Sequence, residues 1–288
     1  MTQLGPLPPR DRAKRILSAT LPRWLPLSLR QTLVIVATRV RLPGRYWLPM
    51  ELLRDLAEED PDAYHAFLWQ HHLAYASTYE VDERFGAHRL NQTRLMFFSD
   101  LRACLSEAGT DAAEVDSVFE VGCSLGYLLS FMETDVFPNA SVLEGIDVDE
   151  YAVRAGRAHL DATGSGVRIA KGDMRELPRI LAGRAYDVVV CAGVLMYLRE
   201  SAARATIRTM LDHANKVVGI TGLAHSQTDN AELPSSTVRS SDGTFIHNID
   251  EMVRQEGGTI LERRWQGDRL LDGNTVYFVF AAPQAPAS

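Results

Sequence analysis

The sequence predicts an α/β protein: a doubly wound, mostly parallel sheet of seven strands behind an N-terminal helical cap. Three observations carry this. From residue 117 onward, short apolar strand-like runs alternate with helical patterns, the grammar of βαβ units. The first run, Val-Phe-Glu-Val, enters a turn with glycines at 122 and 126 and then a helical pattern. The last two runs are joined by residues 266–273, too short for a crossover helix, so they should pair antiparallel.

The 288 residues suffice for one large domain or a domain with a sizeable cap, and 46% hydrophobic content supplies an ordinary core. Residues 1–27 hold five of the thirteen prolines, with a short helix expected near 12–19. Helices are expected at 29–40, where Pro43-Gly44 follows as a breaker, and at 49–59 and 61–79. Asp60-Pro61 reads as a helix start, with Asp as the cap and Pro in the first position. A helix at 91–108 is closed by Gly109. Strands are then expected at 117–121, 141–146, 167–170, 186–191, 216–221, 259–265 and 274–281. The helices between them are 125–133, 150–162, 174–181, 200–215 and 249–256. The domain division is drawn as a helical cap or lid over 1–89 and a catalytic domain over 90–288.

The net charge of −7 is uneven. Residues 1–54 carry ten Lys/Arg against Asp11 and Glu51, a charge of +8, leaving −15 for 55–288. The acidic main body argues against nucleic acid, whose phosphates it would repel. The basic arm suits a solvated face, docking of an acidic carrier protein or a membrane surface, or homodimer formation. Cys104, Cys123 and Cys191 lie far apart without C-x-x-C spacing, so neither a zinc site nor a disulfide framework is expected. The N-terminus lacks the early apolar core of a signal peptide, and the longest apolar run is far short of the roughly 20 residues that span a bilayer. A cytoplasmic protein with no integral membrane segment is expected.

In open α/β sheets, ligands bind beyond the C-terminal ends of the strands. Four such ends carry suitable groups. The first turn reads E-x-G-x-x-x-G from Glu120 through Gly122, Ser124 and Gly126, in place of the G-x-G-x-x-G of a dinucleotide site. A carboxylate there suits a cationic amine better than a phosphate. The second end, Gly-Ile-Asp147, offers an acid to a ribose diol. After the third, Asp173 can hold an exocyclic amine while Met174 covers a flat ring. The fourth, Cys191-Ala-Gly-Val-Leu-Met-Tyr197, leaves room for a reacting group.

Together, Glu120-Val-Gly-Cys-Ser-Leu-Gly126, Gly145-Ile-Asp147, Gly172-Asp-Met-Arg-Glu-Leu-Pro178 and Tyr186-Asp-Val-Val-Val-Cys-Ala-Gly-Val-Leu-Met-Tyr197 resemble the class I S-adenosylmethionine-dependent methyltransferase family over roughly residues 91–283. The resemblance implies a Rossmann-like seven-stranded sheet with its last strand antiparallel. It also implies S-adenosyl-L-methionine as cofactor and S-adenosyl-L-homocysteine as product. Glu120 and the turn would hold the methionine moiety, Asp147 the ribose, and Asp173 with Met174 the adenine. Tyr79, Val148 and Cys191 complete the expected cofactor contacts. Ser124 stands where relatives usually have a glycine, and Tyr197 where many have histidine.

Acceptor-side candidates are Tyr197, His225 and His247. Each has a structural alternative: packing for Tyr197, an exposed loop for His225, a helix entry for His247. His72, Tyr75 and Tyr79 fall on one helical face, suiting either core packing or the pocket. No metal site is expected: Asp147 is better used on ribose, and Asp149 and Glu150 suit a helix start. The activity implied is methyl transfer to an oxygen or nitrogen, less readily carbon, of a small molecule, as in specialised metabolism. A base is needed only for acceptors that must lose a proton. The alternatives are a non-catalytic regulator or scaffold on the same fold, and, more remotely, an NAD(P)-dependent oxidoreductase.

Overall fold

The computed structural model describes residues 25–40, 48–71, 73, 81–85, 90–239 and 242–283. Two compact units result: Met1–Ala76 with Arg239–Gly243, and Ser77–Val238 with Thr244–Ser288.

In the first unit, helices α1 (Leu27–Arg39), α2 (Leu48–Leu52), α3 (Arg54–Glu59) and α4 (Pro61–Gln70) gather Val34, Leu52, Leu53, Ala57, Tyr64 and Phe67 into a small core. The helix expected at 49–59 is broken at Leu53, which is fully buried. Asp60 caps α4 by accepting from the Ala63 amide at 3.1 Å, with Pro61 in the first turn, as its Asp-Pro pair dictates. Arg30 is buried and forks onto Asp55 at 2.5 and 2.7 Å while donating to the Leu52 carbonyl at 2.7 Å. A buried guanidinium is tolerable only with such pairing. The expected helix at 12–19 and the stretch containing His72, Tyr75 and Tyr79 lie outside the described residues.

The second unit opens with α5 (Val81–Phe85) and α6 (Gln92–Glu107), the latter capped by the Asn91 side chain. A single sheet follows: β1 (Ser117–Val121), β2 (Val142–Asp147), β3 (Arg168–Lys171), β4 (Tyr186–Ala192), β5 (Ala214–Thr221), β8 (Thr259–Leu271) and β9 (Asn274–Ala282), with a separate hairpin β6 (Thr237–Arg239) and β7 (Thr244–Ile246). Strand order is β3-β2-β1-β4-β5-β9-β8. β1 through β5 pair parallel; β9 runs antiparallel to both β5 and β8. Winding reverses beside β1, so the crevice beyond its C-terminal end is the expected binding position.

Helices α7 (Tyr127–Phe131), α8 (Glu150–Thr163), α9 (Leu177–Leu181), α10 (Glu200–Asp212) and α11 (Ile249–Gln255) cover the sheet. Two hydrophobic clusters form, one with Phe97, Val118 and Phe278, the other with Phe119, Val189 and Tyr277. β1 reads as a continuous apolar run because it is central and buried on both faces. The differences from expectation are local. The 125–133 helix is a short α-helix passing into a π turn at Met132–Val136. The 174–181 helix begins as a 3-10 turn at Met174–Glu176. The 200–215 helix stops at Asp212, because Ala214 and Asn215 already belong to β5. Among the described residues, no helix is long and apolar enough to cross a membrane.

Candidate functional site

The turn after β1 is built from both sides. The Gly122 and Cys123 amides donate to the Ile146 carbonyl at 2.8 and 2.9 Å, tying the turn to the end of β2. Gly126 sits at φ +80° and caps α7, a left-handed conformation that only glycine adopts without cost. Ser124 also has positive φ, at 51°, an unfavourable position for a residue with a Cβ. Its amide donates to Asp147 Oδ2 at 2.8 Å, an anchor that offsets the cost. A Cβ on Gly122 would lie 2.5 Å from Val194 Cγ2, so this turn and the turn after β4 are in close contact.

Glu120 is 1% exposed, and its Oε2 has no hydrogen-bond partner. Burial pushes its carboxyl up to about 8, Arg94 pulls it down, and Asp147 adds to the rise. Arg94, in the first turn of α6, donates from Nη2 to the Ala192 carbonyl at 3.1 Å, so its guanidinium lies at the carboxyl end of β4. Arg94 was not foreseen from sequence. Nothing local marks it, since only the packing of α6 against β5 and β9 brings it here.

Asp147 is half-buried. Its Oδ2 accepts from Ser124 and its Oδ1 from the Asp149 amide at 2.8 Å, so it braces two loops. Burial raises its pKa, partly opposed by these amides. Each carboxylate oxygen keeps further acceptor capacity. Asp147→Ala is expected to weaken ligand binding by about 1–3 kcal/mol. Isothermal titration with S-adenosyl-L-methionine measures this, and unchanged affinity would remove Asp147 from the site.

Val148 follows, half-buried, and Asp149 caps α8 by accepting from Tyr151 and Ala152. Glu150 pairs with Lys171 at 2.7 Å. Asp173 caps the 3-10 turn and is forked by Arg175 at 2.5 Å. Burial raises its pKa, but the Arg175 hydrogen bonds together win and the net direction is down. Met174 packs partly buried against the second cluster. Cys191 is fully buried in β4, opposite Val121 and Ile220, and burial pushes its thiol up to about 12. Tyr79 lies outside the described residues. Glu120, Gly122, Ser124, Gly126, Asp147, Val148, Asp173, Met174 and Cys191 therefore all stand at or beside the carboxyl edges of β1 to β4.

The acceptor-side candidates differ. Tyr197 ends a 3-10 turn, Leu195–Tyr197, directly after β4 and is half-buried. His225 follows β5; its Nδ1 accepts from the Gln227 and Thr228 amides at 3.3 and 3.1 Å, so the neutral ring carries its proton on Nε2. His247 is 3% exposed. Its Nε2 donates to the Leu195 carbonyl at 3.1 Å, and its Nδ1 accepts from the Ser236 hydroxyl at 2.7 Å. Burial holds its pKa down. In the neutral ring of each, the Nδ1 lone pair is taken and Nε2 carries the proton. Among the described residues, no group of three or more His, Cys, Asp or Glu side chains could hold a metal ion.

A family described as a methyltransferase domain matches residues 118–216. No curated protein matches the chain. Among solved structures, magnesium protoporphyrin IX methyltransferase (ChlM) from Synechocystis PCC 6803 with bound SAH aligns at a TM-score of 0.53 with 16% identity, over 75% of this chain and 98% of that one. The same enzyme with bound SAM gives 0.51 and 14%, over 77% and 96%. A S-adenosylmethionine-dependent methyltransferase from Clostridium acetobutylicum ATCC 824 gives 0.51 and 11%, over 73% and 98%. At these identities the likeness is one of fold, and it agrees with the strand order and the turn after β1. Residues 118–216 thus match a methyltransferase-domain family, and the fold is the one seen in solved S-adenosylmethionine-dependent methyltransferases.

Proposed function

We propose that the protein is an S-adenosylmethionine-dependent methyltransferase acting on an oxygen or nitrogen of a small molecule. One observation carries this: a buried carboxylate oxygen on Glu120 without a partner, at the switch point of the sheet, with Arg94 nearby. An acid and a guanidinium together suit the ammonium and carboxylate of an amino-acid moiety. A pyrophosphate would offer this buried acid no cation to pair with. Glu120, Arg94 and the turn from Gly122 to Gly126 would hold that moiety, Asp147 and Val148 the ribose, and Asp173 and Met174 the adenine, with Cys191 and Tyr79 beside them. The bound cofactor supplies an electrophilic sulfonium methyl. What the chain supplies is position: holding reactants at attack distance accounts for much of such a rate enhancement.

The engaged rings of His225 and His247 support an acceptor that needs no base, such as a carboxylate or a neutral amine. The helical cap over residues 1–89, distinct from the catalytic domain over 90–288, supports a small acceptor of specialised metabolism. The charge of +8 over residues 1–54 supports docking of an acidic carrier protein, and α1 presents Leu29, Leu33 and Val36 outward. Homodimer formation through this arm is the less favoured use, since two such arms repel.

The test is calorimetry with S-adenosyl-L-methionine, followed by mass spectrometry of a cell extract incubated with the protein and methyl-labelled cofactor. Binding together with a labelled small molecule is expected. Binding without any labelled product would point to a scaffold, and preferential binding of a dinucleotide to an oxidoreductase.

A further inference from the structure

Asn230 is fully buried and uses every hydrogen-bonding position an amide has. Its Oδ1 accepts from the His225 amide at 2.8 Å and from Trp265 Nε1 at 2.9 Å. Its Nδ2 donates to the Leu223 carbonyl at 2.9 Å and to the His247 carbonyl at 2.7 Å. One side chain thus joins the loop after β5, the entry to α11 and strand β8.

His247 extends the network. Through Nε2 it reaches the Leu195 carbonyl in the turn after β4, 52 residues away, and through Nδ1 the Ser236 hydroxyl. The Ser236 amide in turn donates to Glu200 Oε2 at 2.8 Å, at the start of α10. Side-chain networks that are fully satisfied and buried rigidify what they connect. The segments connected here are the two loops that carry Tyr197 and His225.

We propose that His247, working through the Asn230 hub, is a positioning residue: it holds the Leu195–Tyr197 turn and the His225 loop in fixed relation and so shapes the acceptor side of the site. This rests on the methyltransferase reading for the word acceptor; the strut itself does not depend on it. The ring acts as a two-ended brace with a defined tautomer, proton on Nε2 and lone pair on Nδ1. Glutamine is the conservative replacement, since its amide can donate to Leu195 and accept from Ser236, whereas alanine can do neither.

The experiment compares His247→Ala and His247→Gln with the full chain. Nitrogen-15 NMR of the wild-type imidazole should show His247 neutral with its proton on Nε2. In His247→Ala, amide exchange at 195–198 should quicken about tenfold or more, while the 223–230 loop, still held by the retained His247 carbonyl, and central β4 amides keep their protection. The dissociation constant for S-adenosyl-L-methionine should stay within about twofold, because the cofactor residues lie on other turns. Methyl transfer to the acceptor found by labelling should fall about tenfold or more, and His247→Gln should restore most of it. Should alanine at 247 prevent folding, Ser236→Ala removes only the hydroxyl donor and is expected to quicken exchange at 195–198 by about threefold.

A proton on Nδ1, unchanged exchange and turnover in a folded variant, or a cofactor affinity that falls in step with turnover would each overturn the proposal. So would a glutamine variant as poor as alanine. A chain that binds no S-adenosyl-L-methionine would defeat the functional reading instead, and the tautomer and exchange results would still decide the strut.

Discussion

Glu120→Gln is expected to weaken S-adenosyl-L-methionine binding by about a hundredfold, roughly 2–3 kcal/mol, the range for a charged hydrogen bond lost in a buried site. The substitution keeps the shape of the side chain and removes only its charge. It also separates two opposite pH dependences. In the ligand-free protein, burial raises the Glu120 pKa from 4.5 to about 8, so at neutral pH the carboxyl holds its proton. A cationic ligand favours the ionised form. Wild-type affinity should therefore improve as pH rises toward about 8 and then level, while the glutamine variant stays flat over the same range.

Stability runs the other way. A carboxyl whose folded pKa is raised binds its proton more tightly in the folded state than in the unfolded state. Its contribution is complete below 4.5 and is lost as pH rises through about 8. Above that pH, Glu120→Gln should be the more stable ligand-free protein, by an amount on the order of 3 kcal/mol. Urea unfolding from pH 4.5 to about 9 reads the difference, and calorimetry over the same range reads the binding. Equal pH slopes in the two proteins would mean that Glu120 is not the titrating group and that another residue meets the ligand's charge.

Gly156→Ala is expected to destabilise the fold by about 2–3 kcal/mol despite improving helix propensity. Alanine in a helix interior is worth about 1 kcal/mol over glycine, so propensity alone predicts a gain. Packing decides otherwise. Gly156 lies within α8, and a Cβ there would stand 2.1 Å from the Leu125 carbonyl oxygen and 2.7 Å from its carbon. Those are backbone atoms, so no rotamer change relieves the contact; either α8 or the turn after β1 must move. Because Leu125 precedes Gly126 in that turn, the displacement should also lower cofactor affinity. Thermal unfolding with calorimetry checks both effects, and a variant more stable than wild type would mean that α8 slides without disturbing the turn.

Much of this site was legible beforehand. β1 announces itself because a central parallel strand is apolar on both faces, and Glu120 stands out as the one charge within that run. Asp60-Pro61, Asp149 and the glycines at 122 and 126 act on amides a few residues away, so their roles follow from local spacing. Arg94 was hidden, since an arginine in the first turn of a helix has no local mark of what it will face. The hairpin of β6 and β7 was missed as well, because its strands are three residues each and lie in a polar stretch. Whether the ring of His247 is free could not be read from the chain, because its partners Leu195 and Ser236 lie 52 and 11 residues away.

The amino-acid sequence by itself determined the order of strands and helices, the antiparallel closing pair, the glycine turn and the acids at 120, 147 and 173, because periodicity, caps and turns are set by neighbours within a few residues. Only the tertiary structure decided that Glu120 keeps an unpartnered oxygen near Arg94, that Gly156 lets α8 rest against the turn, and that the two histidines spend their ring lone pairs on the protein. Burial, charge pairing and hydrogen-bond satisfaction depend on which distant segments meet, and that is settled only when the sheet closes.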